Sequence, residues 1–415
     1  MVCINGFPAL PIPQEHLDLS LRPSRSSALP WRGQFSPQLV ANLLSTYASQ
    51  NMTVCDPFVG SGTVLLEAAR RKLPSLGVEV NPAALEFATI ACFAGLPLAE
   101  RQSCVAESER RAHALLEELP RAENLQGDLP TVSRLLRGTV DGAATRWSRG
   151  LLAAGLLLAM KNGKNFRPAM FGNAVQNVLS IVRGMADEVV ETSACLADAR
   201  DLPLEDGRVG LVLTSPPYIN VFNYHHHYRP AVEILGWEVL TGARSEIGSN
   251  RKHRQNRFLT VVQYALDMAE FLSEATRVLG PEGRIVMILG RESNVLGTPF
   301  YNGQIVSEVA LYSLGLELEA VGERRFQNKY GQVIYEDILV ICGTPKNDLV
   351  ENVARTIGIR ALADAVDRCP SGSITALKNA IRAGGGVNPS VRLAEVLTYP
   401  SGHSVGPLRP QWRLS

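Results

Sequence analysis

Short apolar runs alternate along this chain with longer segments whose apolar residues recur every three or four positions. That pattern predicts strands alternating with amphipathic helices, as in an open parallel sheet. Residues 1–30 are rich in Pro and Ser and read as an irregular segment. Ser36 as N-cap and Pro37 at the first helical position open a helix over 36–50. A strand at 53–56, a helix over 62–72, a strand at 75–79 and a helix over 82–94 follow. From about 100 to 192 the pattern is helical: Glu107 to Leu119, Val132 to Leu136, an Ala/Leu run, then Ala174 to Val190. Strands return at 193–196 and 209–213. Val262 to Leu279 reads as a helix, and Arg284 to Leu289 as a strand. Leu316 to Val321 and Val333 to Ile341 predict a closing hairpin, and the tail from 346 holds short helices and a Pro-rich end.

Two of the strands run into unusual chemistry. Val209-Gly210-Leu211-Val212-Leu213 is apolar enough for a central parallel strand, and Thr214-Ser215-Pro216-Pro217-Tyr218 ends it. Two prolines stop the ladder and stiffen the backbone just past the carboxyl end, the edge where open α/β sheets bind ligands. Such a turn displays a hydroxyl, unpaired carbonyls and an aromatic face, a set suited to gripping a planar base by its exocyclic amine. The bland alternative is a Pro-terminated strand with a tyrosine at the core edge. Upstream, Val54-Cys55-Asp56-Pro57-Phe58-Val59-Gly60-Ser61-Gly62-Thr63 has the form strand, glycine turn, helix. Its glycines allow close approach of a ligand, and the helix start offers free N–H groups. It is neither a phosphate loop nor a full dinucleotide fingerprint, lacking Gly-Lys-Ser/Thr and a third glycine. Leu76-Gly77-Val78-Glu79-Val80-Asn81-Pro82 places an acid at the end of the next strand, where it can bind ribose hydroxyls.

Together these segments resemble the S-adenosylmethionine-dependent DNA amino-methyltransferases, which methylate N4 of cytosine or N6 of adenine. Asp56, Phe58, Gly60, Ser61, Gly62 and Thr63 look like their cofactor loop, with Glu79 and Asn81 at the ribose. Trp31-Arg32-Gly33-Gln34-Phe35-Ser36-Pro37 is similar to the segment that closes over the methionine end, which implies roles for Phe35 and Ser36. Asp198 and Ala199 resemble the acidic turn near the adenine. Ser215, Pro216, Pro217 and Tyr218 look like the catalytic motif, and the Thr-Ser-Pro-Pro-Tyr form is closest to the N4-cytosine type. The resemblance covers about 31–100 and 193–342, with gaps. It implies a doubly wound, mostly parallel seven-stranded α/β sheet. The cofactor-binding half is 31–100 and the catalytic half 193–343; 101–192 is a helical insertion and 344–415 a C-terminal extension. Double-stranded DNA is the implied substrate, and a cognate restriction endonuclease a partner of such enzymes. The cofactor loop precedes the catalytic motif, whereas many Ser-Pro-Pro-Tyr enzymes carry the permuted order. The order leaves three places for target recognition: the insertion, 219–260, and the tail.

Composition narrows the partners. The 415 residues carry a net charge of +1, so a nucleic-acid surface must be a local patch. Arg244, Arg251, Lys252, Arg254 and Arg257 stand against only Glu246 in 244–257, which predicts a phosphate-contacting loop. The alternative is a solvated basic loop. Arg324, Arg325 and Lys329 are expected in the loop of the closing hairpin, on DNA or plain surface. Aromatics in 219–229 can stack on an extruded base. The seven cysteines are scattered without a Cys-x-x-Cys pair, which argues against structural zinc and fits a reducing cytoplasm. His225-His226-His227 are consecutive and do not converge as metal ligands, so no metal is expected. No signal peptide is visible, and the longest apolar stretch, Leu151 to Met160, is too short to span a bilayer. No Pro-Cys nucleophile for carbon-5 methylation occurs, and 351–353 reads as a helix start. Three other functions stay open: an N6-adenine enzyme, an RNA amino-methyltransferase, and a non-catalytic DNA-binding subunit.

Overall fold

The computed structural model describes residues 2–4, 7–12, 28–31, 36–119, 129–161, 166–220, 228–237, 242–249, 253–327 and 331–396. Its strands are β1 (Val2–Ile4), β2 (Phe7–Pro11), β3 (Val54–Asp56), β4 (Ser75–Glu79), β5 (Thr192–Leu196), β6 (Val209–Thr214), β7 (Leu279–Gly290), β8 (Glu292–Val295), β9 (Thr298–Tyr301), β10 (Glu317–Gln327) and β11 (Val333–Cys342). One sheet has the order β1-β2-β10-β11-β7-β6-β3-β4-β5. Its five strands from β7 to β5 pair in parallel, and β11 joins them antiparallel. This is the expected seven-stranded doubly wound sheet, extended at one edge by an amino-terminal hairpin. The hairpin corrects the reading of the first residues as irregular: Leu10 and Pro11 pair in parallel with Ala320 and Val321.

Alternation along β6 shows how the sheet is covered. Leu211 and Leu213 point to one face, where they meet Leu39, Val40, Val64 and Ala68 of the helices Pro37–Tyr47 and Thr63–Arg70. Val212 points to the other, against Val262, Phe271 and Leu272 of the helix Leu259–Val278. A parallel strand buried on both faces needs this near-continuous apolar sequence. The C-terminal helix Val350–Asp364 packs onto the outside of Leu259–Val278. The predicted insertion holds four helices among its described residues, Leu98–Glu118, Leu129–Asp141, Arg146–Ala159 and Pro168–Arg183, around a core that includes Leu152, Leu156, Phe171 and Val175 and is shared with Phe87 and Phe93 before them.

The chain runs outward from β3 through β4 to β5, then returns to lay β6 on the other side of β3. That reversal opens a crevice at the carboxyl ends of β3 and β6. The region between β7 and β10 carries elements that the pattern did not predict: the β8–β9 hairpin, the helix Asn302–Glu308 and a π-helical turn at Val309–Leu314. Arg324 and Arg325 lie within β10 rather than in its loop; Arg324 is paired with Glu336 at 2.6 Å and stacks over Phe326. Lys329 lies outside the described residues.

Gly77 lets the glycine turn rest on the sheet. A Cβ there would stand 2.5 Å from Val59 Cγ2 and 3.0 Å from Leu65 Cδ1. Val59 is also tied to β4 through its N–H on the Val78 carbonyl, 3.0 Å. Gly77→Ala should therefore overpack this contact and cost about 1–3 kcal/mol of stability. Urea unfolding checks this, and an unchanged midpoint would show that the turn yields freely.

Candidate active site

The glycine turn and the Ser-Pro-Pro-Tyr segment start from neighbouring strands, and Asp56 joins them. Its buried Oδ1 accepts from Thr214 Oγ1 at 2.6 Å and from the Phe58 N–H at 3.2 Å. Burial pushes the Asp56 carboxyl up to about 7; the two hydrogen bonds oppose that rise and nearby Glu79 adds to it. Phe58 packs edge-on against Phe271, with ring centroids 5.0 Å apart. Gly60 and Gly62 both have positive φ, 52° and 86°, the left-handed geometry that favours glycine here. Gly62 is the N-cap of the helix that begins at Thr63. Ser61 is buried, and its hydroxyl has no partner among the described residues. It lines a cavity of about 20 Å³ with Ala28, Leu29, Pro37, Thr63, Leu66, Glu67 and Arg70.

Glu79 closes the other side of the turn. Its Oε2 accepts the Gly60 N–H at 3.0 Å, and its Oε1 accepts those of Val80 and Asn81 at 3.0 and 2.9 Å. Burial pushes its carboxyl up to about 7, the three amides pull it back, and Glu246 adds to the rise. Asn81 is a helix cap: its Oδ1 accepts from the Ala83 and Ala84 N–H groups. Ser36 is the N-cap of its helix by position, but its hydroxyl donates to Gln38 Oε1 at 2.9 Å instead of capping. Phe35 lies outside the described residues. Trp31 covers the turn, with its Cδ1 3.3 Å from where a Gly60 Cβ would be. Its ring stacks on Tyr228 at 5.6 Å and 5°, and the Tyr228 hydroxyl donates to the Pro30 carbonyl at 2.8 Å.

In the Pro-Pro segment, Pro216 is buried while Ser215, Pro217 and Tyr218 are half-buried. Ser215 Oγ and Tyr218 OH are 3.3 Å apart. The structure therefore brings together Asp56, Phe58, Gly60, Glu79 and the Ser215–Tyr218 segment. Asp198 is differently employed. Both its oxygens are taken by Arg200, at 2.9 and 2.8 Å, and Oδ2 also accepts the Leu393 N–H at 3.0 Å. Burial alone would raise the Asp198 carboxyl, but Arg200 holds it below its ordinary value. Ala199 is buried in the core beside it.

Of the basic loop, Arg251 and Lys252 lie outside the described residues, as do His225, His226 and His227. Arg244, Arg254 and Arg257 are exposed, and among the described residues none is in an ion pair with a carboxylate. The described residues hold no cluster of His, Cys, Asp and Glu fit for a metal, and no helix long and apolar enough to cross a membrane. Sequence reasoning missed Asn302, Gly290 and Gly248, which surround Tyr218 from distant parts of the chain. Only Tyr301-Asn302-Gly303 gave a local signal, and it reads as an ordinary turn.

Residues 20–90 match the model of a family described as DNA methylase. A 53-residue stretch is 36% identical to the Type II methyltransferase M.MjaII of Methanocaldococcus jannaschii. That stretch is 13% of this chain and spans only 10% of the relative's length. Among solved structures, a SAM-dependent methyltransferase from Methanosarcina mazei aligns with 73% of this chain and 98% of its own, at 9% identity and TM-score 0.34. One from Aquifex aeolicus aligns over 74% and 100%, at 11% identity and TM-score 0.27. Such low scores say nothing about substrate.

The raised Asp56 carboxyl has a consequence for stability. The folded state keeps a proton that the unfolded chain releases above 3.8, so this group's contribution falls as pH rises from 3.8 to about 7 and is lost above that. Asp56→Asn keeps an oxygen for Thr214 and Phe58 but cannot ionise. The stability of Asp56→Asn relative to the native chain should therefore increase from pH 5 to pH 8. Thermal melts across that range check it, and a constant difference would refute the shift.

Proposed function

We propose that this chain is an S-adenosylmethionine-dependent methyltransferase that modifies the exocyclic N4 of cytosine in double-stranded DNA. The observation that carries this reading is the Asp56–Thr214 hydrogen bond. It sets a glycine turn with a ribose-ready carboxylate directly beside Ser-Pro-Pro-Tyr, on adjacent strands at the crevice of the sheet. The match of 20–90 to a DNA methylase family covers the turn and Glu79 and supports the same reading. Residues of the turn fit the cofactor: Gly60 and Gly62 hold the turn in its left-handed geometry, and the Ser61 hydroxyl is buried without a partner among the described residues.

In this reading Glu79 accepts from the ribose hydroxyls at the site on Oε2 that its three amide donors leave open, and those donors keep it aimed. Phe35 and Ser36 belong to the segment at the methionine end. Bound S-adenosylmethionine supplies an electrophilic methyl on a good leaving group, so the protein needs no covalent intermediate. The amine of cytosine is a poor nucleophile because its lone pair is delocalised into the ring. Ser215 Oγ and the Pro216 carbonyl accept hydrogen bonds from its two N–H groups and favour a pyramidal nitrogen whose lone pair faces the methyl; the methylated nitrogen then releases one of these protons to water by way of Ser215 Oγ. Fixed dipoles and near-attack positioning of this kind are established sources of rate. Tyr218 stacks on the extruded base. Arg244, Arg254 and Arg257 meet the phosphates, for which exposure without a carboxylate partner among the described residues suits them.

The preference for cytosine rests on the Thr-Ser-Pro-Pro-Tyr form. Both amines present the same donor geometry, so the room beside Tyr218 must select the ring. Mass spectrometry of nucleosides from plasmid DNA exposed to the protein should show N4-methylcytosine, and Ser215→Ala should lose turnover while keeping cofactor affinity. N6-methyladenine alone would move the target and keep the enzyme class; full activity of Ser215→Ala would remove the serine from the chemistry. For the interface, replacing Arg244, Arg254 and Arg257 by Gln should flatten the slope of log affinity against log salt by roughly one unit per lost phosphate contact. An unchanged slope would make these arginines plain surface.

A further inference from the structure

The segment that follows Tyr218 is held by a residue outside both motifs. Asn302 opens the helix Asn302–Glu308 and is fully buried. Its Oδ1 accepts the Ile219 N–H at 3.2 Å and the Ser293 hydroxyl at 3.1 Å. Its Nδ2 donates to the Gly290 carbonyl at 2.7 Å. Ile219 presents a donor and Gly290 an acceptor, so a carboxamide satisfies both in only one orientation. A single side chain thus bonds the residue after Tyr218 to the carboxyl end of β7.

Gly290, at one end of this link, and Gly248, outside it, both face Tyr218. A Cβ on Gly290 would lie 2.7 Å from Tyr218 Cε2, so the bare glycine forms the seat of the ring. A Cβ on Gly248 would lie 2.3 Å from the Tyr218 carbonyl oxygen. Asn220, at φ 59°, sends its Nδ2 to the Asn294 carbonyl at 2.6 Å. The tyrosine is fixed below its ring, at its carbonyl and through the two residues that follow it. Three of those contacts, on Gly290, Asn294 and Asn302, fall on the stretch 290–302, which carries neither motif.

We infer that Asn302 is a positioning residue for methyl transfer, acting through Tyr218 by locking its backbone over the Gly290 seat. This assignment rests on the proposed reading, in which the Tyr218 ring receives the extruded base. A ring that is already aimed loses little freedom when the base arrives. Without Asn302 the Ile219 N–H is buried with no acceptor, and the segment must shift to find one.

The test compares the native chain with Asn302→Leu, Asn302→Asp, Tyr218→Ala and the double variant Tyr218→Ala/Asn302→Leu. Single-turnover methyl transfer to duplex DNA and calorimetric binding of S-adenosylmethionine are both measured. Asn302→Leu should slow transfer by about ten- to a hundredfold, the effect of one orphaned buried donor, with cofactor affinity unchanged. Asn302→Asp keeps the acceptor for Ile219 and should recover part of the rate. In the Tyr218→Ala background Asn302→Leu should cost nothing more, because the residue acts through the ring. An equal loss in that background, or a transfer rate unaffected by Asn302→Leu, would overturn the assignment. If Asn302→Leu does not fold, Asn302→Asp and Gly290→Ala go through the same cycle with the same criteria. A native chain that binds S-adenosylmethionine but methylates no DNA would instead overturn the reading beneath it.

Discussion

One buried carboxyl holds the two halves of the site together. Asp56 ends β3 and Thr214 ends β6, 158 residues later, and the 2.6 Å bond between them fixes the relative height of the two turns. Parallel pairing of Val54 with Leu211 and Cys55 with Val212 sets the register, and the side-chain bond extends it one step past the ladder. Such a group is costly to bury charged, which is why its carboxyl is pushed up to about 7. Protonated or not, it can accept from both Thr214 and the Phe58 amide. The glycine turn and the Pro-Pro turn therefore sit against one another by construction, and everything proposed about transfer between them follows from that closeness.

The sheet was legible because its strands are short, apolar and bounded by turn chemistry. The strand read at 75–79 is β4 to the residue, and the closing hairpin, though longer, begins and ends near the predicted positions. Two regions escaped for opposite reasons. Val2–Ile4 and Phe7–Pro11, in a segment expected to be irregular, are strands, and the second is held by pairing with distant β10, which no local pattern reveals. The stretch 290–315 mixes short strands and a π-helical turn, and neither keeps a period long enough to read. In the site, the signals that could be read were those carried by consecutive residues. Asn302 and Gly248 are single residues whose meaning comes from what the fold places beside them.

Asp198 illustrates the same limit from the other direction. Its place after β5 suggests a ligand role, yet its carboxylate belongs to Arg200. That guanidinium is wholly buried and uses its donors on Asp198, Asp267 and the carbonyls of Ser390 and Val391. A buried charge is tolerable only when its partners are complete. Asp267 in turn accepts from the Ser390 amide and hydroxyl, each at 2.6 Å. The C-terminal extension thus supplies part of the shell that keeps Arg200 inside. It is a structural member of the α/β unit, and the turn at Asp198 owes its shape to residues almost two hundred positions away.

The insertion is bound into the site by similar logic. Tyr228, Val232 and Leu235 follow the Ser-Pro-Pro-Tyr segment in sequence and are buried in the core of the insertion together with Phe87. The carboxylate of Glu86 reinforces the junction, accepting from Arg149 of the insertion at 3.0 Å and from the Trp237 indole at 3.3 Å. Trp31 then joins this body to the glycine turn by stacking on Tyr228 over Gly60. The chain leaving Ser-Pro-Pro-Tyr is consequently tied at Ile219 to the sheet through Asn302, and at Tyr228 to the insertion and the turn. The helices of the insertion so become the support on which the chain rests where it is described again from Tyr228. In the proposed reaction, that support bears on where the target base can lie.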